Sequence, residues 1–208
     1  MRTYFTSDQH FGHKNIIQYS KRPFDNVDHM NHVLINNYNS TVGKLDVCYF
    51  IGDVGFSNKE EMSKIISNLN GTKILITGNH DRGTVAMREM GFHAVMNGGV
   101  LWIAKHRVTM SHCPLYGVKR EDTSDMKGVV KGDNWHGEQR STYKEQYSFT
   151  DEGQFHLHGH IHSPNSGKST KILDRQYDVG VDANNYKPVN ISVIESWIAK
   201  YGRINSET

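Results

Sequence analysis

The stretch Asp46-Val47-Cys48-Tyr49-Phe50-Ile51-Gly52-Asp53 and its sequel Lys73-Ile74-Leu75-Ile76-Thr77-Gly78-Asn79-His80-Asp81 decide the fold class of this chain. Each begins as an apolar run of strand-forming residues and ends on a glycine beside polar residues. Between them, Ser57 and Glu60 read as a capping box ahead of Met62, Ile65, Ile66 and Leu69, with Gly71 placed to end the helix. Strand, helix, strand is the repeating unit of an α/β core. Toward the N-terminus, Tyr4 to Thr6 is a first strand. Behind the capping candidate Asp25, the helical spacing of Val27, Met30, Val33, Leu34 and Tyr38 predicts a helix. Toward the C-terminus, Arg82 to Met90 predicts a short helix stopped by Gly91. Ala94 to Met96, Val100 to Ala104 and Arg107 to Ser111 follow without intervening helices and predict an antiparallel meander. Phe155 and Leu157 restart a strand, and Gln176 to Val181 and Val189 to Ser192 add two more. Ser192 with Glu195 makes a second capping box, for a closing helix that turns Val193, Trp197, Ile198 and Tyr201 toward the core.

A chain of 208 residues can bury one substantial core, and a single domain over residues 1–208 is expected. From Tyr116 to Gly153 the pattern gives way to a polar, glycine-containing stretch of mixed charge, predicted to form a lid or insertion beside the site. The formal net charge is +2, from 24 basic and 22 acidic residues, too balanced to predict binding to a nucleic-acid backbone through bulk charge, which leaves a nucleic-acid partner open. An anionic partner must be recognised locally. Cys48 and Cys113 lie in different apolar contexts and predict no disulfide framework. With no signal-like or bilayer-length apolar segment, the expectation is a cytoplasmic protein with no membrane partner and no clear protein partner.

Five polar clusters each stand just after a predicted strand: Asp8-Gln9-His10, Gly52-Asp53, Gly78-Asn79-His80-Asp81, Ser111-His112 and Gly159-His160-Ile161-His162. Strand ends are where α/β folds build sites, and glycines beside the polar residues let side chains from separate strands converge. The donors are imidazole, carboxylate and one carboxamide, without thiolate, which points to a catalytic metal site rather than a structural zinc or iron-sulfur cluster. Two carboxylates cannot neutralise two divalent ions. Phosphate is the natural guest of the cationic patch that remains.

In this order the clusters resemble the calcineurin-like metallophosphoesterases, whose motifs run Asp-x-His, Gly-Asp, Gly-Asn-His-Asp or Glu, His, and Gly-His-x-His. The opening Asp8-Gln9-His10-Phe11-Gly12-His13-Lys14-Asn15-Ile16 and the late Val179-Gly180-Val181-Asp182 also resemble the small phosphoesterases of bacteria and their phages. The resemblance implies a sandwich of two mixed β-sheets flanked by helices, with two divalent metals at the strand ends. It assigns Asp8, His10, Asp53 and His162 to one metal and Asp53, Asn79, His112 and His160 to the other, with Asp53 bridging. Manganese is the first expectation, and iron, zinc, nickel and cobalt also suit these donors. His80 would be the general acid beside the leaving group. The continuation Val54-Gly55-Phe56-Ser57-Asn58 lacks the second Asp and the Arg of the protein Ser/Thr phosphatases, leaving Asp81, Arg82 and Lys14 as nearby candidates to orient His80 or grip phosphate. The function implied is hydrolysis of a small phosphodiester or nucleotide. A phosphomonoesterase is the alternative, and a non-catalytic scaffold of the same fold is a third reading, disfavoured because His10, His80, His112, His160 and His162 are all present.

Other residues have plainer readings. Asn79 can serve as a left-handed turn residue after Gly78 as well as a ligand. His156 and His158 alternate with Phe155 and Leu157 and so share the opposite strand face, either supporting the metals or facing solvent. His13 is close enough along the chain to His10 to merit mutation; His29, His32, His93, His106 and His136 match no metal pattern. Trp135, Tyr143, Tyr147 and Phe149 either stack on a nucleobase or, as burial favours, pin their segment to the core.

Overall fold

Neighbouring residues along a strand face opposite ways, and the pairs Tyr4 and Phe5, Phe50 and Ile51, and Leu75 and Ile76 are buried on both sides. A sheet built from them needs a layer on each face. The computed structural model describes residues 1–115, 147–163 and 175–204. In it these pairs lie on β1 (Thr3–Thr6), β2 (Val47–Ile51) and β3 (Thr72–Ile76), which run parallel with β4 (Ala94–Met96). Four further strands, β5 (Gly99–Ile103), β6 (His106–Met110), β7 (Phe155–His158) and β8 (Gln176–Asp178), form a second sheet in that order. The last strand, β9 (Val189–Asn190), lies antiparallel to β1 and completes the first sheet as β4-β3-β2-β1-β9. In the second sheet β5 is antiparallel to β6, and the other neighbours are parallel. Both sheets are mixed, and the fold is the expected α/β sandwich.

One face of the first sheet carries α1 (Lys14–Tyr19), α2 (Val27–Thr41), α3 (Lys59–Ser67) and α4 (Thr84–Glu89). Tyr4, Phe50 and Leu75 meet Ile16, Met30, Leu34, Met62, Ile66 and Met87 there. On the other face Phe5, Ile51 and Ile76 pack against Ile103, Val108, Met110 and Leu157 of the second sheet, joined by Ile194 and Ile198 of α5 (Ile191–Ile204).

The structure corrects the sequence reading in several places. Ala94–Met96 does not begin a meander: α4 carries the chain over to parallel pairing with β3, and of the three expected meander strands only β5 and β6 pair antiparallel. Helix caps fall on asparagines rather than on the expected Asp25, Ser57 and Ser192. Asn26 accepts from His29 N at 2.9 Å, Asn58 from Glu61 N at 3.0 Å and Asn190 from Ser192 N at 2.9 Å. Residues 116–146, with Trp135, Tyr143, His136 and most of the expected lid, lie outside the described residues. The stems beside them hold the outer face of the second sheet. Cys113 N donates to Tyr147 O at 2.8 Å, Leu115 N donates to Gln176 Oε1 at 2.6 Å, and the Phe149 ring lies 6.3 Å from that of His156. Under this cover Thr109, Ser111, His156, His158 and Asp178 are all buried, so His156 and His158 occupy the expected face but do not reach solvent. No described helix is long and apolar enough to cross a membrane.

Leu157 is fully buried between the sheets. Leu157→Ala should lower unfolding stability by about 2–5 kcal/mol through lost burial and a residual cavity, read as a lower urea midpoint at unchanged slope.

Candidate metal centre

The parallel strands β1, β2 and β3 end side by side, and so deliver Asp8, Asp53 and Asn79 to one edge of the sandwich. The segments after β6 and β7 bring His112, His160 and His162 to the same edge from the second sheet. Past the strand ends, Asp8 N donates to Gly52 O at 3.1 Å, His10 N to Asp53 O at 3.1 Å and Phe11 N to Val54 O at 2.9 Å, so the first two loops stay zipped together. Asp8, His10, Asp53, His160 and His162 all adopt positive φ. Such a backbone is uncommon outside glycine and holds only where its surroundings over-determine it. Gly52, at φ +86°, has no alternative residue: a Cβ there would lie 2.4 Å from His112 Nδ1.

Two clusters result. Asp8, His10 and His162 form one, and Asp53, His112 and His160 the other; within each, one ligand atom per residue lies within 4.8 Å of the others. His10 Nε2 and His162 Nε2 face each other at 3.1 Å, and His112 Nε2 and His160 Nδ1 at 3.2 Å. Asp8 Oδ1 is 3.9 Å from His10 Nε2 and 3.7 Å from His162 Nε2. These separations suit donors arranged around a shared ion, since bonds of about 2 Å place neighbouring donors roughly 3–4 Å apart. Asp53 Oδ2 lies 3.7 Å from His10 Nε2 and 3.3 Å from His112 Nε2, between the clusters. Among the described residues the buried Asp8 Oδ1 and Asn79 Oδ1 have no hydrogen-bond partner, and a buried acceptor of this kind calls for a cation or a donor. The donor set fits divalent metals.

Outer contacts fix the ligands. His112 Nδ1 sits 2.9 Å from Ile51 O, a group that can only accept, so Nδ1 carries the proton and Nε2 faces the cluster. His162 Nδ1 lies 2.8 Å from Asp182 Oδ2, and buried Arg22 grips Asp182 through Nε at 2.8 Å and Nη2 at 2.7 Å. Arg22 also donates from Nη2 to Asp8 O at 2.7 Å and from Nη1 to Gln9 O at 2.9 Å, so one guanidinium secures both loops of the first cluster. Sequence reasoning did not place Arg22 in the site; Asp182 was seen only within a motif. No local signal marks it, since Arg22 lies in the polar stretch Ser20-Lys21-Arg22-Pro23-Phe24-Asp25-Asn26.

Asp81 is not positioned to orient His80. Its Oδ2 accepts from Asp53 N at 3.0 Å and Gly78 N at 2.8 Å, and its Oδ1 from Val54 N at 2.9 Å, so it fastens the second loop to the third. His80 stands at the open rim with its side chain 47% exposed, Nε2 4.0 Å from Asp53 Oδ2, and its backbone N donating to Asp53 Oδ1 at 3.0 Å. Arg82 donates to Ser57 O at 3.2 Å on the same rim.

Burial pushes the Asp8 carboxyl up to about 6, against the pull of His162 and His112. Burial acts likewise on Asp53, but the neighbouring imidazoles, His112 foremost, outweigh it and hold that carboxyl well below the usual range. Burial disfavours charge on His112, yet Asp53 overcomes it and lifts the imidazole to about 10. His10, with less compensation, is driven well below its ordinary value by burial. Burial raises Asp81 to about 6, helped by the charge on Asp53. It also opposes charge on Asp182, which hydrogen bonds from His162 and Arg22 hold at about 2.

No family model matches the chain. It is 30% identical over 203 residues to the uncharacterized protein MJ1445 of Methanocaldococcus jannaschii, covering 96% of this chain and 92% of that one. It is 33% identical over 189 residues to the gene 66 protein of Mycobacterium phage L5, covering 87% and 86%. The chain belongs to their family. Among solved structures, a protein of unknown function from Aquifex aeolicus, AQ665, superposes with a TM-score of 0.64 at 27% identity, over 94% of this chain and 98% of that one. The similarity thus extends over nearly the whole chain.

Asp182→Asn should weaken metal binding at the His162 cluster by about 10–100-fold, measured by manganese titration, because the candidate ligand His162 loses its orienting partner. Metal ligation needs a neutral imidazole. Since His112 holds its proton up to about 10, affinity should climb as pH rises through neutrality, and calorimetry in buffers of different ionisation heat should show protons released on loading.

Proposed function

We propose that the protein is a dinuclear metal-dependent phosphoesterase, acting on a small phosphodiester or nucleotide. The observation that carries this is the placement of the Asp53 carboxylate between two imidazole-rich clusters, with the unligated His80 imidazole beside it at an open rim. The ordered motifs, which resemble those of calcineurin-like metallophosphoesterases, support the same reading. Asp8, His10 and His162 would hold one ion and Asn79, His112 and His160 the other, with Asp53 shared. Manganese is the first candidate. Two such ions supply Lewis-acid stabilisation of phosphoryl oxygens and ionisation of water near neutral pH.

The remaining roles belong to the chain. His80 donates a proton to the oxygen of the departing group, at the side of the site that solvent reaches. Its backbone bond to Asp53 Oδ1 ties the donor's loop to the shared ligand, so the two cannot drift apart. Asp81 keeps that loop registered on the second by its three accepted N–H groups. Arg22 and Asp182 hold His162 in the orientation that presents Nε2 inward.

Metal-stripped protein given manganese should cleave bis-p-nitrophenyl phosphate in preference to p-nitrophenyl phosphate. His80→Ala should lower that rate by about 10²–10⁴-fold, as loss of an acid catalyst does, with metal stoichiometry unchanged. A preference for the monoester would shift the reading to a phosphomonoesterase, and tight metal binding without cleavage of either ester would favour a scaffold.

A further inference from the structure

Phe56 and Tyr19 are large aromatic residues that join neither hydrophobic core, with 41% and 66% of their surface exposed. Both sit at the rim of the metal centre. The Phe56 ring lies nearly parallel to that of His10, at 5.5 Å and 16°, and contacts His13 at 4.3 Å and His80 at 4.9 Å. Its backbone is fixed by donation from Phe56 N to Phe11 O at 2.8 Å, so the ring is presented on a rigid support. Tyr19 meets the same His13 ring edge-on at 6.3 Å, and the next residue, Ser20, places Oγ 3.3 Å from His162 Nδ1. The His13 imidazole that both rings touch keeps Nδ1 buried and without a hydrogen-bond partner among the described residues. The parts of these rings left in water gain nothing from folding, and here they gather at one place, one imidazole away from Asp53.

We propose that Phe56 and Tyr19, both touching His13, form a subsite for a planar aromatic group, a nucleobase or an aryl ring, carried by the phosphate ester. The subsite rests on the phosphoesterase reading for the position of the phosphate. Contact between Phe56 and His80 puts the aromatic group on the side of the departing oxygen. Stacking on such a platform is tolerant of the base's identity, because every base has a flat face.

Calorimetric binding of benzylphosphonate and of ethylphosphonate, whose P–C bonds a phosphoesterase does not cleave, to manganese-loaded protein tests this without turnover. Benzylphosphonate should bind about tenfold tighter, the size of one aromatic stack. Phe56→Leu, which keeps apolar bulk but removes the flat face, should collapse that ratio toward one. Tyr19→Ala, at an exposed position that folding does not need, should reduce it. Equal affinities in the wild type, no binding of either ligand, or a ratio unaltered in both variants overturns the subsite. Cleavage of bis-p-nitrophenyl phosphate alongside an unaltered ratio removes the subsite alone; a collapsed ratio without cleavage of any ester keeps the subsite and removes the phosphoesterase reading.

Discussion

Everything at the centre depends on one buried carboxylate. Asp53 is almost wholly shielded from water, yet it stays ionised, because Oδ1 accepts the His80 N–H while Oδ2 lies against His10 and His112. A buried charge is tolerated only when paired and hydrogen-bonded. In the metal-free protein the His112 proton supplies that pairing, since Asp53 holds this imidazole charged well above neutral pH. Two divalent ions would answer the same electrostatic need more fully, and would relieve the facing imidazole nitrogens as well. The constraint therefore selects for cations at the same point where the strands converge.

Holding such a centre requires backbone that other sequences avoid. Five of the candidate ligands have positive φ, each at a cost of about 1–3 kcal/mol, so the surrounding contacts must over-determine the loops. Arg22 does this for the first loop and Asp81 for the second and third, both through hydrogen bonds to backbone groups. The two-sheet architecture makes the arrangement possible, because parallel strands from both sheets end at one edge. Burial of Phe5, Ile51, Ile76 and Leu157 between the sheets keeps those ends in register.

Much of this was legible in the sequence because each ligand belongs to a short contiguous motif behind a strand-like run. Asp8, Asp53, His112 and His160 could be placed from neighbouring residues alone. Arg22 could not: its meaning lies in Asp182 and in the Asp8 and Gln9 carbonyls, and no local pattern announces a pairing so distant along the chain. Asp81 looked like a partner for His80 because it is next in sequence, but the turn sends its carboxylate back to the second loop. The caps slipped because Asp25, Ser57 and Ser192 are as good on paper as the asparagines beside them. Alternation showed that His156 and His158 share a face but carried no word on what covers it, and the covering stems come from elsewhere in the chain. Phe56 was read only for what its motif lacks, since an exposed ring has no sequence signature.

The most direct test of a carboxylate shared by two ions is electron paramagnetic resonance during manganese titration of the metal-stripped protein. Two ions bridged by one side chain lie about 3.5–4 Å apart and must couple magnetically. The account predicts two manganese ions per chain with an exchange-coupled spectrum at saturation, replaced by uncoupled signals in Asp53→Ala. Saturation at one ion, or two ions with independent signals in the wild type, would contradict it.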